Sequence, residues 1–308
     1  MTALRIGTGT VVLSVMLTAA SAGSAREPGV GASFVPDITL GQANAVPLSP
    51  GARLGSRSTY LDANLLGNDS KPTGLRYQTA AEIVLLTWVP EGRVLGAGYK
   101  AFAVVPFASS TLIRDAPVAP AARGTFTQVA MGNPKLQFID LSWSLGEGFY
   151  VSSGFGVYFP SGKWSATSPV NVGSPFWTFE PNAAVSYFKD GWTASLQGVY
   201  DTNTTNPTNN YYSGDQVVLN ATLMKMFGGV NVGPVGYWLK QVSSDANYGG
   251  RTVYGGAASL PGEQLAIGAT ASTQFGNLSV QLMFTQDVYA QNGLYGSKGW
   301  LALSYHFK

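Results

Sequence analysis

The chain has no cysteine, a single histidine and few charges, with only 11% of its 308 residues charged. Without cysteine there can be no disulfide framework and no thiolate metal ligand. His306 alone offers no histidine-rich metal spacing, so neither a metal nor any other cofactor is expected. An ordinary soluble domain carries about 25% charged residues. A deficit of this size implies that much of the surface faces something other than water. The net charge of +2, with no basic block, argues against nucleic acid as a partner.

Long apolar runs are missing as well. The densest stretch, Ala101 to Ala108, is short and is interrupted by Pro106. A spanning helix needs roughly 20 apolar residues. The run from Val11 to Ala20 is too short for one. It follows a single charge, Arg5, and precedes the small residues Ala20-Ser21-Ala22 and Gly23-Ser24-Ala25. This is the pattern of a secretory signal peptide over residues 1–25, with the cut after Ala22 or Ala25. In lipid, only helices and closed barrels satisfy every backbone group. An exported, charge-poor chain without spanning helices is therefore either a secreted β protein or a transmembrane barrel.

What is abundant decides between them. Thirty-eight glycines and 12% aromatic residues suit strands and tight turns. Alternation of period two recurs along the chain. Leu301, Leu303, Tyr305 and Phe307 share one face against Ala302, Ser304 and His306, and Leu278, Val280, Leu282 and Phe284 oppose Ser279, Gln281, Met283 and Thr285. Strands are expected near 53–65, 75–89, 93–107, 135–145, 149–159, 176–188, 192–201, 216–227, 230–242, 264–275, 278–290 and 298–307. Glycine-bearing short turns at 90–92, 146–148, 189–191, 228–229 and 276–277 alternate with longer polar segments at 108–134, 160–175, 202–215 and 243–262. That is the connection pattern of an outer-membrane barrel, with short periplasmic turns and long outer loops. The expected fold is thus an all-β, transmembrane, antiparallel up-and-down barrel of about twelve strands over 51–308. Trp88, Trp143, Phe149, Phe188, Trp192, Phe227 and Phe275 lie beside the short turns, as an interfacial girdle would. Residues 26–50 have no strand rhythm and carry four prolines. They form either a periplasmic tail or a plug in the lumen.

Several segments resemble one known family. Leu48-Ser49-Pro50-Gly51 is similar to its Leu-Pro-Pro-Gly entry to the first strand, and Tyr158-Phe159-Pro160-Ser161-Gly162 to its Tyr-x-Pro-Thr-Gly segment. Asn171-Val172-Gly173-Ser174-Pro175-Phe176-Trp177, running to Pro181, resembles its Asn-x-Gly-x-Asn-x-Trp-x-x-x-Pro element. Tyr212-Ser213-Gly214 and the stretch Gly233 to Gln241 match later segments. In this order, over roughly 48–308, they resemble the phenol meta-pathway degradation family of outer-membrane transporter-like proteins. The resemblance implies transport of small molecules, aromatic ones among them, and supplies no site residue.

Enzymatic readings find little support. His306 lies near the periplasmic end, away from where outer-membrane hydrolases work, and there is no Gly-x-Ser-x-Gly elbow. Charges on a lipid face cost roughly 2–4 kcal/mol for Arg or Lys at the midplane, so charged residues in strands are expected to point inward. On that argument the lumen-lining candidates are Arg57, Arg76, Glu82, Lys100, Asp140, Glu180, Lys240 and Asp287, joined by Trp238 and Met283 (and Phe102) as large apolar groups. They fit two fillings equally, a solute-selecting pore or a salt-bridged closed interior. The amide-rich loop 202–215 is expected to be solvated. The expected partners are the bilayer with its lipopolysaccharide, the outer-membrane assembly machinery that reads a terminal aromatic strand, and a small organic solute. The expected function is an outer-membrane channel for passive uptake, with a structural or adhesive barrel of closed lumen as the alternative.

Overall fold

A computed structural model describes residues 26–115 and 123–307. The signal-peptide expectation over 1–25 lies outside the described residues, as do Lys308 and part of the second outer connection. Twelve antiparallel strands close into one barrel. In chain order they are β1 (Gly51–Leu66), β2 (Pro72–Val89), β3 (Gly98–Tyr99 with Ala101–Arg114), β4 (Gly124–Met131 with Lys135–Gly146), β5 (Phe149–Tyr158), β6 (Thr178–Lys189), β7 (Trp192–Asn203), β8 (Gln216–Phe227), β9 (Val230–Gln241), β10 (Glu263–Phe275), β11 (Leu278–Gln291) and β12 (Leu294–Phe307). Every strand pairs with its neighbours in sequence, and β12 closes on β1 in register from Ala52↔Phe307 to Leu65↔Leu294. Closure leaves no free sheet edge, as lipid demands, except beside the outer half of β4, which a loop covers. The expected count of twelve is the observed count.

Four hairpins match the expected short turns. At three of them, Glu147-Gly148, Asp190-Gly191 and Gly228-Gly229, both central residues have positive φ, as a type I′ turn requires. The second outer connection differs from expectation. Residues 108–134 are mostly strand, because β3 runs on to Arg114 and β4 begins at Gly124. Thr111 and Thr127 face each other across this ladder with hydroxyls 2.9 Å apart. Polar Ser and Thr in a run that starts at Pro106 read as loop in sequence, yet on a barrel wall they pair across strands.

β4 is broken at Gly132-Asn133-Pro134. Its first half pairs with β3 from Phe107↔Met131 to Arg114↔Gly124, and its second half pairs with both β3 and β5. The outer loop 159–177 takes the place of the missing neighbour beside the first half. Lys163 N donates to Met131 O (3.0 Å), and Val172 N to Gln128 Oε1 (2.8 Å). Asn133 fixes the break, accepting from Gly162 N and Ser174 N (3.1 Å each) and donating to Ser174 O (3.0 Å).

The outer face is apolar. Leu54, Leu86, Phe107, Leu196, Leu223, Ile267, Leu282 and Phe284 are exposed there, and Trp88, Phe149, Phe188, Trp192, Phe227 and Phe275 are exposed near the short turns. This is the girdled band of a lipid-spanning barrel. Replacing Gly229 by Val should destabilise the barrel by about 1–2 kcal/mol, because a β-branched residue is forced into a left-handed conformation. The check is a lower urea midpoint for the shift between folded and heat-unfolded bands on gels.

Candidate functional site

The inside of the barrel is built from two parties, the inward residues of the strands and residues 26–50. A twelve-strand interior is wider than the eight-strand interior that side chains just fill. Residues 26–50 take up that space, running from the outer loops at Arg26 to the short-turn end at Pro50. Their backbone groups have no ladder of their own, so the wall supplies partners for them. Phe34 N donates to Asp201 Oδ2 (3.1 Å), Gly41 N to Thr222 Oγ1 (2.9 Å) and Ala45 N to Ser186 Oγ (3.1 Å). Gln281 Nε2 donates to Leu40 O (2.9 Å). At the exit, the His306 ring nitrogen lies 2.9 Å from Pro50 O, a structural contact. Phe34 and Leu40 pack with Ile83, Val218, Tyr237, Leu239, Met283 and Trp300 into an apolar cluster inside the lumen.

Asp37 is the polar centre of this docking. Its carboxylate is fully buried and accepts from Lys298 Nζ (2.9 Å), Trp300 Nε1 (2.9 Å) and Thr285 Oγ1 (3.0 Å). A second clasp closes the outer end. The Glu27 carboxylate accepts from Asn206 Nδ2 (2.9 Å), Asn209 Nδ2 (2.5 Å) and the Tyr254 hydroxyl (2.9 Å), while Ser259 Oγ donates to Arg26 O (2.8 Å). The loop 202–215, expected to be solvated, is drawn inward to hold this carboxylate. Asp245 lies beneath, accepting from the Tyr211 hydroxyl (2.7 Å), Gly214 N (2.7 Å) and Gln241 Nε2 (2.7 Å). Burial pushes the Asp245 carboxyl up to about 6, against the lowering effect of those donors and of Arg26. Burial likewise raises Glu27.

Between this segment and the wall of β1–β4 lies a cavity of about 510 Å³. Its lining runs along β2 from Tyr77 to Thr87, a length of roughly 34 Å at about 3.4 Å per residue. With barrel strands tilted by about 35–45°, that run spans roughly 24–28 Å of depth, most of the hydrocarbon core of about 30 Å. The lining of this wall is largely apolar, with Ile83, Leu85, Phe102 and Val104, and Val35 and Ile38 face it from the lumen segment. The polar lining includes Arg57, Lys100, Lys135, Asp140 and Glu180. Lys100 pairs with Asp140 at 3.4 Å, and Lys135 pairs with Glu180, whose other oxygen accepts from the Tyr158 hydroxyl (2.8 Å).

Six of the ten lumen candidates point inward. Arg57, Lys100, Asp140 and Glu180 line the cavity, whereas Met283 packs in the apolar cluster and Asp287 accepts from the Tyr237 hydroxyl (2.8 Å). The other four are corrected by the structure, because they stand on the outer face. Glu82 accepts from the Ser56 and Ser58 hydroxyls across the β1–β2 ladder. Arg76 forms a two-pronged pair with Asp62, its Nε 2.6 Å from Oδ1. Trp238 Nε1 donates to Glu263 (2.7 Å), and Lys240 pairs with the same carboxylate at 3.2 Å. The reason is common to all four. The inward face of β2 carries Ile83 and Leu85 against the cavity, and that of β9 carries Val235, Tyr237 and Leu239 against the lumen segment. Where the interior is packed with apolar groups, parity sends the charges outward, and a partner on the adjacent strand answers each one. Asp37, Lys135 and Lys298 escaped the sequence reading. Lys298 shares the inward parity of Trp300 and Ala302, a signal that was available, but nothing local marks Asp37 as a hub.

No group of three His, Cys, Asp or Glu side chains among the described residues could hold a metal ion. Comparison with known proteins gives the family. The family model described as "Putative MetA-pathway of phenol degradation" matches residues 54–303. The chain belongs to that family. Among solved structures, the chain is similar to the COG4313 outer membrane channel from Pseudomonas putida F1, at a TM-score of 0.71 and 15% identity over 87% of this chain and 100% of that one. The transport unit of the autotransporter AIDA-I from Escherichia coli is similar at a TM-score of 0.52 and 10% identity, over 86% and 95% of the two chains. At such identities the likeness is one of fold, that of a bacterial outer-membrane barrel. No curated protein matches the sequence.

Two predictions follow from these clasps. Asp37→Asn leaves Lys298 buried without its counter-charge and should weaken docking of residues 26–50 by about 3 kcal/mol. The readout is faster proteolysis of that segment in a barrel whose gel migration stays heat-modifiable. For Asp245, a carboxyl held above its unfolded value stabilises the folded state at low pH, and that contribution is lost as pH rises through about 6. Protection factors of the amides in loops 204–215 and 242–262, corrected for the intrinsic pH dependence of exchange, should therefore rise on acidification from pH 7 to 5, and Asp245→Asn should abolish that rise.

Proposed function

We propose that the protein is an outer-membrane channel for passive uptake of small organic solutes, aromatic ones among them, and that residues 26–50 are its plug. The observation that carries this reading is the cavity of about 510 Å³ along the β1–β4 wall, which extends over most of a membrane's hydrocarbon depth beside the plug. Concave, mostly apolar spaces with a few convergent polar groups are the usual form of small-molecule sites. The apolar wall at Ile83, Leu85, Phe102 and Val104 suits an organic body, and the charges at Arg57, Lys100 and Lys135 give a passing solute polar contacts. Membership of a phenol-degradation family and the fold shared with an outer membrane channel support the same reading. In this reading Asp37 and Glu27 hold the plug at mid-lumen and at the outer mouth, and loosening either would widen the path.

The second reading, a closed structural or adhesive barrel, draws on the same plug, which fills much of the lumen. Liposome swelling with the full-length protein separates the two. Swelling in small aromatic solutes should be measurable, and deletion of residues 27–47 should raise single-channel conductance several-fold. Absence of flux and conductance in both forms would leave the closed barrel as the better account.

A further inference from the structure

The four cations of the barrel wall that line the cavity are not equivalent. Lys100 faces Asp140 at 3.4 Å, Lys135 faces Glu180, and Lys298 faces Asp37 at 2.9 Å. Each of these lysines has its carboxylate. Arg57 is paired differently. Its guanidinium donates to the carbonyl oxygen of Ile38 and, with the Gln42 amide turned to present its oxygen, to Gln42. Both partners are neutral, and both belong to the plug. No ion pair of Arg57 occurs among the described residues; Asp37 acts on it only through space, its own oxygens being held by Lys298, Trp300 and Thr285.

Arginine presents five donors in a planar fork that matches a carboxylate at two points, and a charge-assisted pair is roughly twice as strong as a bond to a neutral acceptor. A carboxylate entering the cavity could therefore replace the plug's neutral oxygens at Arg57 with a better partner. The surroundings of Arg57 select what carries that carboxylate. Thr59, Ile83, Leu85 and Val104 line the cavity with it, and Val35 and Ile38 face them from the plug. This is room for an apolar body of ring size, with an acidic head directed at β1.

We propose that Arg57 is the specificity-determining contact of the cavity and that its ligands are small organic anions with an apolar body and a single carboxylate. Binding exchanges the Ile38 and Gln42 oxygens for the ligand's carboxylate. The plug thereby loses a contact with the β1–β4 wall when the solute arrives. The inference rests on the channel reading for its physiological meaning, but the binding step can be measured without transport.

The test is calorimetric binding to the full-length protein in detergent, with benzoate against its neutral counterpart benzyl alcohol. Benzoate should bind at least tenfold more tightly. Arg57→Gln should bring the two to within about twofold, and Arg57→Lys should restore part of the preference, since it keeps the charge but not the fork. Heat-modifiable migration verifies that each variant is folded. Equal binding of the two ligands to the natural protein would overturn the proposal, as would a benzoate preference that survives in Arg57→Gln. No binding of either ligand would overturn it as well. Liposome swelling in the same solutes reports on the channel reading separately. Binding without flux leaves the Arg57 assignment standing and removes transport, whereas flux without a benzoate preference does the reverse.

Discussion

A closed sheet of twelve strands encloses more space than its own side chains can fill, and the rest of the structure answers that constraint. Large apolar side chains alone do not fill the interior here. A segment of the chain itself does, and a segment without regular structure brings backbone amides and carbonyls that must be satisfied. The wall meets that demand residue by residue. Asp201, Thr222, Ser186 and Gln281 serve successive backbone groups, and Asp37 returns the exchange by answering Lys298, Trp300 and Thr285. The hydroxyl- and amide-rich inner faces of β6–β8 and β11 are thus explained as the complement of one specific peptide.

This division of labour fixes which faces are polar. Where the strands touch the plug's apolar residues, their inward positions are apolar too, as with Val235, Tyr237 and Leu239 on β9. The alternation that puts them inside puts Trp238 and Lys240 outside, where Glu263 of the neighbouring strand receives both. On β2, Glu82 is carried outward by the same parity and is held by two serine hydroxyls of β1. A lipid-facing carboxylate is costly when bare, and its hydroxyl donors lower that cost.

These arrangements separate what the sequence discloses from what it hides. Strand number, the glycine turns and the aromatic band near Trp88, Trp192 and Phe275 were legible because lipid outside imposes a uniform demand, and period-two patterns report it directly. The interior has no uniform solvent. It is apolar where Phe34 and Leu40 press on the wall and polar where backbone groups emerge, so the rule that charges point inward misplaced Arg76, Glu82, Trp238 and Lys240. The first half of β4 was hidden for a related reason. Its first half has a loop for one neighbour, and a Gly-Asn-Pro break divides it from the second, so its pattern is interrupted where its pairing changes. The role of Asp37 depends on contacts with residues more than two hundred positions away, which no local pattern encodes.

The distribution of plug contacts also indicates where the interior yields most readily. On the side of β6–β8 and β11–β12, the plug is tied by repeated hydrogen bonds from Ser33 to Ala45 and by the buried Asp37–Lys298 pair. Towards β1–β4, Ile38 and Gln42 are tied to the wall through Arg57, and open volume begins beside it. Opening along the first side would strand several buried donors and acceptors, each costing about 1–3 kcal/mol. Widening along the second requires exchanging the partners of one guanidinium, which any competing anion can supply. In the channel reading proposed above, the path of least free-energy cost therefore runs along β1–β4. The apolar wall of the cavity and the cation with neutral partners stand on that same side.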